Sequence, residues 1–385
     1  MISPDIFDFE STVNRRATGS AKWEKYGDKD VLPMWVADME FATAPQIIDA
    51  MKHRLDHPIL GYTNATESLT STVIEYLARR HQWQVDRDWI TYLPGVVPGI
   101  AACTLMVEPE DEILVFTPVY HPLLILPKKN ARQRVDIPLQ YLDGRWTVDF
   151  EAFRNAITAR SKMLLLCSPH NPVGTMFSEK ELSKIVEICE EHKILLVSDE
   201  IHCDLVLHKQ KIHKPTGLVA NQLGDNVLTL MSPSKTFNLA GANCSFAIIP
   251  DAAIRQRFMD QCLYTVPTVP TLSYTAAEAA YQHGWSWHHQ LIEHLRGNLQ
   301  LLKQEVTKTP HLWMDDTEAT YLAWINTSEL PVENPDKFFI NAGVGLSPGA
   351  QFGDSHYQRL NFACSRQQLQ QGISRIQRAV RNLTS

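Results

Sequence analysis

Between about residues 87 and 250 the chain alternates short apolar, β-rich runs with longer amphipathic ones, and this alternation restricts the fold more than any other feature. "EILVF", "KMLLLC", "KILLVSD", "NVLTLM" and "CSFAII" have the length and residue types of buried strands. "SEKELSKIVEICEEH", between two of them, has the spacing of a helix with one apolar face. Repetition of this kind predicts an α/β fold with a mostly parallel, mixed central sheet flanked by helices. From about residue 286 the pattern changes to a long helical stretch, a strand-like "ATYLAWI", the turn-rich "GVGLSPGAQFG", a strand "YQRLNFAC" and a closing helix. That suits a smaller α+β domain, and 385 residues exceed what one core usually organises. The expected division is an N-terminal segment, 1–46, joining the small domain; a large α/β domain, 47–286; and a small C-terminal domain, 287–385.

Four of the apolar runs pass directly into loops rich in Pro, Gly, Asn and hydroxyls: "FTPVYHP", "CSPHNPVG", "SDEIHCD" and "MSPSKTFN". Ligands of parallel sheets bind beyond the carboxyl ends of the strands, so these loops are expected to meet at one crevice. Lys235, in the last of them, is a solvated charge, a phosphate ligand or a nucleophile; "SPSK" alone does not choose. Asp199 closes an apolar strand, where a carboxylate is unfavourable unless it meets a cation or hydrogen-bond donors. A protonated ring nitrogen would serve, as in pyridoxal phosphate, whose pyridinium an acid holds while a lysine forms the Schiff base. Ser232 and Ser234 offer hydroxyls to a phosphate, and "LPGVVPGI" offers the amides of Val96 and Val97 at a helix start. Tyr120 has the shape to stack on a flat ring and Asn171 the amide to reach a ring oxygen. Taken singly, each also reads as a packed aromatic or an ordinary N-P turn.

Charge and cysteine usage exclude other classes. The 36 basic against 43 acidic residues give a net charge of -7 with no block of one sign, so neither nucleic acid nor a membrane surface is an expected partner. Seven scattered cysteines without a C-x-x-C pair suit a reducing compartment. The acidic start "MISPDIFDFE" lacks the basic and apolar regions of a secretory signal, and the expected location is cytoplasmic. His202, Cys203, Asp204 and His208 raise the question of a metal, but no second cluster completes a tetrahedral set, so none is expected.

In combination these motifs resemble the fold type I pyridoxal-phosphate enzymes of the aspartate aminotransferase superfamily. "LPMWVADMEFATAPQIIDA", "TPVYHP", "LLCSPHNPVGT", "SDEIHCDL" and "SPSKTFNLAG" are most similar to the MalY/PatB-type cystathionine β-lyases, or C-S lyases. The resemblance implies that Lys235 is the Schiff-base lysine, Asp199 the pyridinium partner, Asn171 the donor to the cofactor's ring hydroxyl oxygen and Tyr120 the stacking aromatic. It implies a phosphate cup of Ser232, Ser234 and the Val96 and Val97 amides. Tyr62 would reach the phosphate of the neighbouring subunit's site, which implies a homodimer. Arg359 would clamp the substrate α-carboxylate with help from Asn171. Two positions depart from the aspartate aminotransferase pattern, His202 where it has tyrosine and Asn243 where it has arginine. The implied reaction is α,β-elimination of L-cystathionine or a related cysteine S-conjugate, with Lys235 as base and Tyr120 as a proton donor. An aminotransferase and a regulatory protein keeping the fold are the alternatives.

Overall fold

Seven strands build the central sheet of the computed structural model, which describes residues 6–383. In chain order they are β1 (Ile90–Leu93), β2 (Glu112–Thr117), β3 (Gln133–Pro138), β4 (Ser161–Cys167), β5 (Leu195–Asp199), β6 (Val227–Met231) and β7 (Ser245–Ile248). Their spatial order is β1-β7-β6-β5-β4-β2-β3. Strands β3, β2, β4, β5 and β6 pair in parallel, and β7 runs antiparallel to both of its neighbours. Strands β5 and β6 are buried along their whole length, as expected of parallel strands covered on both faces. Leu114, Leu164 and Leu196 point into one apolar layer with Leu182 and Ile185 of the helix Glu179–Glu191. Val115, Leu165 and Val197 point into the other, with Ile100, Leu123 and Phe258. The Glu179–Glu191 helix starts at a capping box, in which Ser178 Oγ accepts from the Glu181 amide while Glu181 accepts from the Ser178 amide.

A second, antiparallel sheet contains β8 (Trp313–Met314), β9 (Leu322–Asn326), β10 (Ser347–Pro348) and β11 (Tyr357–Asn361), in the order β8-β9-β11-β10. The helices that bear on the site are α1 (Glu67–His81), α2 (Val96–Thr104), α3 (Pro233–Thr236), α4 (Trp285–Thr307) and α5 (Arg366–Arg381). Helix α4 buries Trp287, Leu291 and Leu295 in one apolar cluster with Leu369 and Ile373 of α5. Among the described residues no helix is long and apolar enough to cross a membrane.

The N-terminal chain bridges the two sheets. Leu32–Pro33 pairs in parallel with Val344–Gly345, and the chain then continues as a strap, residues 35–41, outside any sheet. Its carbonyls are taken by side chains instead. Arg359 donates to Trp35 O, Asn361 to Val36 O and Asp38 O, and Asn238 to Met39 O and Phe41 O. Behind the strap Lys22 and Glu40 form an ion pair at 2.6 Å with side chains only 2% exposed, joined by Arg15 to Asp38 at 2.6 Å.

Candidate active site

A cavity of about 310 Å³ lies at the carboxyl ends of the parallel strands, where the strap and the second sheet close over them. Asp199 is the last residue of β5, Asn171 follows β4, and Ser232, Ser234 and Lys235 follow β6. Tyr120 follows β2, Val96 and Val97 open α2, and Arg359 comes from β11 of the other sheet. All of these line the one cavity, together with His202 and Asn243. Tyr62 does not: its side chain is fully exposed, away from the cavity of its own chain.

Lys235 is half-buried on the short helix α3, and its Nζ donates to the Ala37 carbonyl of the strap at 2.6 Å. Burial lowers its pKa to about 8, against the opposing charge of Asp38. Asp199 moves the other way: burial pushes it up to about 7, and a hydrogen bond from the Ile201 amide at 3.2 Å only partly offsets this. A carboxylate so placed is stabilised in its charged form by any cation brought to the cavity.

Arg359 presents the complementary case. Its Nη1 donates to Asn171 Oδ1 at 2.9 Å, Nη2 donates to Trp35 O at 3.0 Å, and the guanidinium lies over the Phe352 ring at 4.5 Å. The residue is 5% exposed, its Nε has no hydrogen-bond partner, and no carboxylate among the described residues pairs with it. Burial drives its pKa down to about 10. A buried guanidinium without a counter-ion fits an anionic ligand, and its planar fork fits a carboxylate.

At the opposite end, α2 directs its first-turn amides, including those of Val96 and Val97, toward the cavity after Gly95, whose φ of 154° favours glycine. Ser232 spends its hydroxyl proton on Cys244 O at 2.7 Å and accepts from the Ser234 amide, so it shapes the loop before it meets any ligand. Tyr120 keeps its phenol proton, with a pKa pushed up to about 12 by burial. His202 is held neutral, its pKa pushed down by burial and by the charges of Lys235 and Arg359, and its Nδ1 has no partner. An acid facing a lysine, an unpaired guanidinium and a helix start for a dianion together fit pyridoxal phosphate and an amino acid.

Sequence reasoning assigned no residue of the strap, nor Ser347, Gln351 and Phe352, although Trp35, Val36 and Ala37 of the strap and these three all line the cavity. The signal was present in "WVADME" and "LSPGAQF", but neither carries a side chain of distinctive chemistry. Cys203 and Asp204 turn away from His202 and group instead with His81 of α1, their ligand atoms within 4.8 Å of one another. The Tyr76 hydroxyl sits between His81 Nε2 at 2.9 Å and Asp204 Oδ2 at 3.0 Å, and Arg80 Nε donates to Asp204 Oδ1. Asp204 is thus satisfied by hydrogen bonds and a cation, while His81 Nδ1 has no partner.

The family described as aminotransferase class I and II matches residues 29–376. The chain belongs to this family. It is 36% identical to the cystathionine beta-lyase PatB of Bacillus subtilis (strain 168), over 97% of this chain and 100% of that protein. It is 30% identical to the protein MalY of Escherichia coli (strain K12), over 98% and 99% of the two chains. Among solved structures, cystalysin from Treponema denticola, which contains a pyridoxal 5'-phosphate cofactor, superimposes with a TM-score of 0.94 at 33% identity, covering 98% of this chain and 100% of that one. The family's members of this kind act on small molecules, in agreement with a cavity of this size.

Proposed function

We propose that the protein is a pyridoxal-phosphate-dependent carbon-sulfur β-lyase that eliminates a thiol from L-cystathionine or a related cysteine S-conjugate, releasing ammonia and pyruvate. The observation that carries this reading is Arg359, buried without a counter-ion beside Asn171 and across the cavity from Lys235 and Asp199. Among the described residues it is the one arginine on the cavity wall, so this chain offers a clamp for one carboxylate and none for a second. Where a substrate side chain would extend, the wall is neutral, with Trp35, His121, Gln351 and Phe352. The singly charged side chain of aspartate finds no partner there, whereas the far end of L-cystathionine carries an ammonium beside its carboxylate and brings no net charge to this wall. The names of the relatives support the same class.

Pyridoxal phosphate, when bound, supplies a ring that accepts the electron pair left at Cα. Asp199 would hold the ring nitrogen, and the first-turn amides of α2, with the Ser234 hydroxyl, would hold the phosphate, Ser232 joining them only by turning its hydroxyl away from Cys244 O. Asn171 gives its Oδ1 to Arg359 and so keeps its Nδ2 for the ring oxygen. Tyr120 and the neutral imidazole of His202, both on the cavity wall, would flank the ring. Arg359 grips the substrate carboxylate through two donors and thereby fixes the direction of Cα–H. Lys235, with a pKa near 8, has enough neutral amine at physiological pH to remove that proton at Nζ. The Cβ–S bond then breaks with its electron pair on sulfur. Tyr120, which keeps its proton, can deliver it to the departing thiolate, as can the protonated Lys235. The exposed Tyr62 serves the phosphate of a partner subunit's cavity, which makes the active unit a homodimer.

The test is pyruvate and free thiol from L-cystathionine with no keto acid present. Amino transfer that depends on a keto acid, with negligible pyruvate from any cysteine conjugate, would give the site to an aminotransferase. Sedimentation of a fully active monomer would refute the role of Tyr62.

A further inference from the structure

The lysine of this site stands on one turn of helix. Helix α3 is four residues long, Pro233–Thr236, capped by the Ser232 hydroxyl, and a turn of that length has no intrinsic stability in water. Its orientation must come from outside. The residue after Lys235, Thr236, is fully buried and donates its hydroxyl to Asp204 Oδ2 at 3.1 Å. Asp204 is itself 1% exposed and is fixed from behind by α1, through Arg80 Nε at 3.2 Å and the Tyr76 hydroxyl at 3.0 Å. Burial alone would raise its pKa, but the charges of His81 and Arg80 hold it below the usual carboxylate range, so it is an anion. His288 Nε2 hydrogen-bonds its backbone carbonyl at 2.9 Å.

Asp204 also ends the segment that begins at Asp199. In those six residues Asp199 and His202 face the cavity, while Asp204 bonds to Tyr76 and Arg80, which with His81 and Cys203 line a second, larger cleft of about 1030 Å³. One short segment therefore touches the lysine turn on one side and the proposed ring partner on the other.

We propose that Asp204 is a positioning residue for Lys235: its hydrogen bond with Thr236 orients α3 so that Nζ enters the cavity at the height of the Ala37 carbonyl. The proposal rests on Lys235 being the base of the reaction, as argued above. A side chain displaced by an ångström at a reacting centre slows the reaction about a hundredfold. The acid does not act on Lys235 by its charge, because the groups that face the ammonium are Asp38, Arg359, Asp199 and Lys22.

Thr236→Val removes the donor at constant volume, Asp204→Asn removes the acceptor at constant shape because Arg80 Nε claims the remaining oxygen, and Thr236→Ser restores the hydroxyl. The expected result is a fall in kcat of about ten- to a hundredfold in each of the first two, with KM within about twofold. The double variant should be no slower than the slower single one, because both remove one link. Thr236→Ser should recover most of the rate. A second readout needs no turnover: competitive acetylation of Lys235 across pH in the full-length chain stripped of cofactor, followed by mass spectrometry. Thr236→Val should shift the midpoint of Lys235 labelling upward, toward that of a solvated lysine, and Tyr92→Phe, whose hydroxyl bonds to Thr70 outside this chain of contacts, should not. A folded Thr236→Val protein with wild-type kcat and wild-type labelling overturns the proposal, as do additive losses in the double variant. If Asp204→Asn does not fold, the Thr236→Val and Thr236→Ser pair decides alone. If the wild-type protein eliminates nothing from cysteine conjugates, the functional reading fails while the labelling comparison still judges the positioning.

Discussion

Replacing Arg359 by methionine separates what this residue does for the fold from what it does for a ligand. In the cofactor-free protein its guanidinium is held at about 10 instead of 12.5, which corresponds to about 3 kcal/mol by which the fold disfavours the charge. Methionine has similar length and removes that penalty. It also strips Asn171 Oδ1 of its donor and leaves Trp35 O with the Ser347 hydroxyl alone, at about 1–3 kcal/mol. The two nearly cancel, so the thermal midpoint of the Arg359→Met protein should lie within a few degrees of wild type. Catalysis has no such compensation. Loss of one partner from a buried, hydrogen-bonded charge pair costs about 2–5 kcal/mol, or about 30- to 5,000-fold in kcat/KM. Thermal melts of the stripped chain and pyruvate release from L-cystathionine measure the two effects. A midpoint lowered by more than about 5 °C with kcat/KM unchanged would show that Arg359 braces the fold and meets no substrate.

Asp199→Asn should still bind cofactor, detectable by its absorbance, yet turn over at least about a hundredfold more slowly, because a neutral amide does not hold a ring cation; near-normal turnover would place the ring partner elsewhere. Lys235 must be neutral to accept a proton from the bound substrate and its neutral fraction grows with pH, so kcat should climb about tenfold per pH unit below pH 8 and level off above it. A profile flat from about pH 6 to 9 contradicts this assignment of the base. Glu40→Ala leaves Lys22 buried with only Asp38 at 3.3 Å, and should lower stability by about 3 kcal/mol in a denaturant titration. A loss below about 1 kcal/mol would mean that water already reaches the pair.

The central sheet was readable because β4, β5 and β6 are covered on both faces, and full burial writes itself as unbroken apolar runs. The reversal of β7 was not readable, since its residues Ser245–Ile248 look the same in either direction. Lys235, Asp199 and Asn171 were legible for a related reason: each breaks the apolar pattern at a strand end, where a polar group needs a purpose. The strap was illegible because it meets the site with backbone, as at Ala37 O, and backbone has no letter in the sequence. Asp204 was legible only as a residue type. Its partners Tyr76 and Thr236 lie 128 and 32 positions away, and no spacing rule connects them.

The strap also sets an order of completion during synthesis. Its residues leave the ribosome before both sheets, yet the side chains that hold its carbonyls come from Asn238, Ser347, Arg359 and Asn361. While the large sheet is being assembled, Trp35 O and Val36 O can bond only to water. They gain their donors when β10 and β11 have emerged and β11 has paired with β9, after the whole of the large sheet. The carboxylate clamp and the cover of the cavity therefore arrive in the same step. A nascent chain stalled before residue 359 can carry the lysine and the acid of the site, but it has neither the grip for a substrate nor the wall that keeps water away.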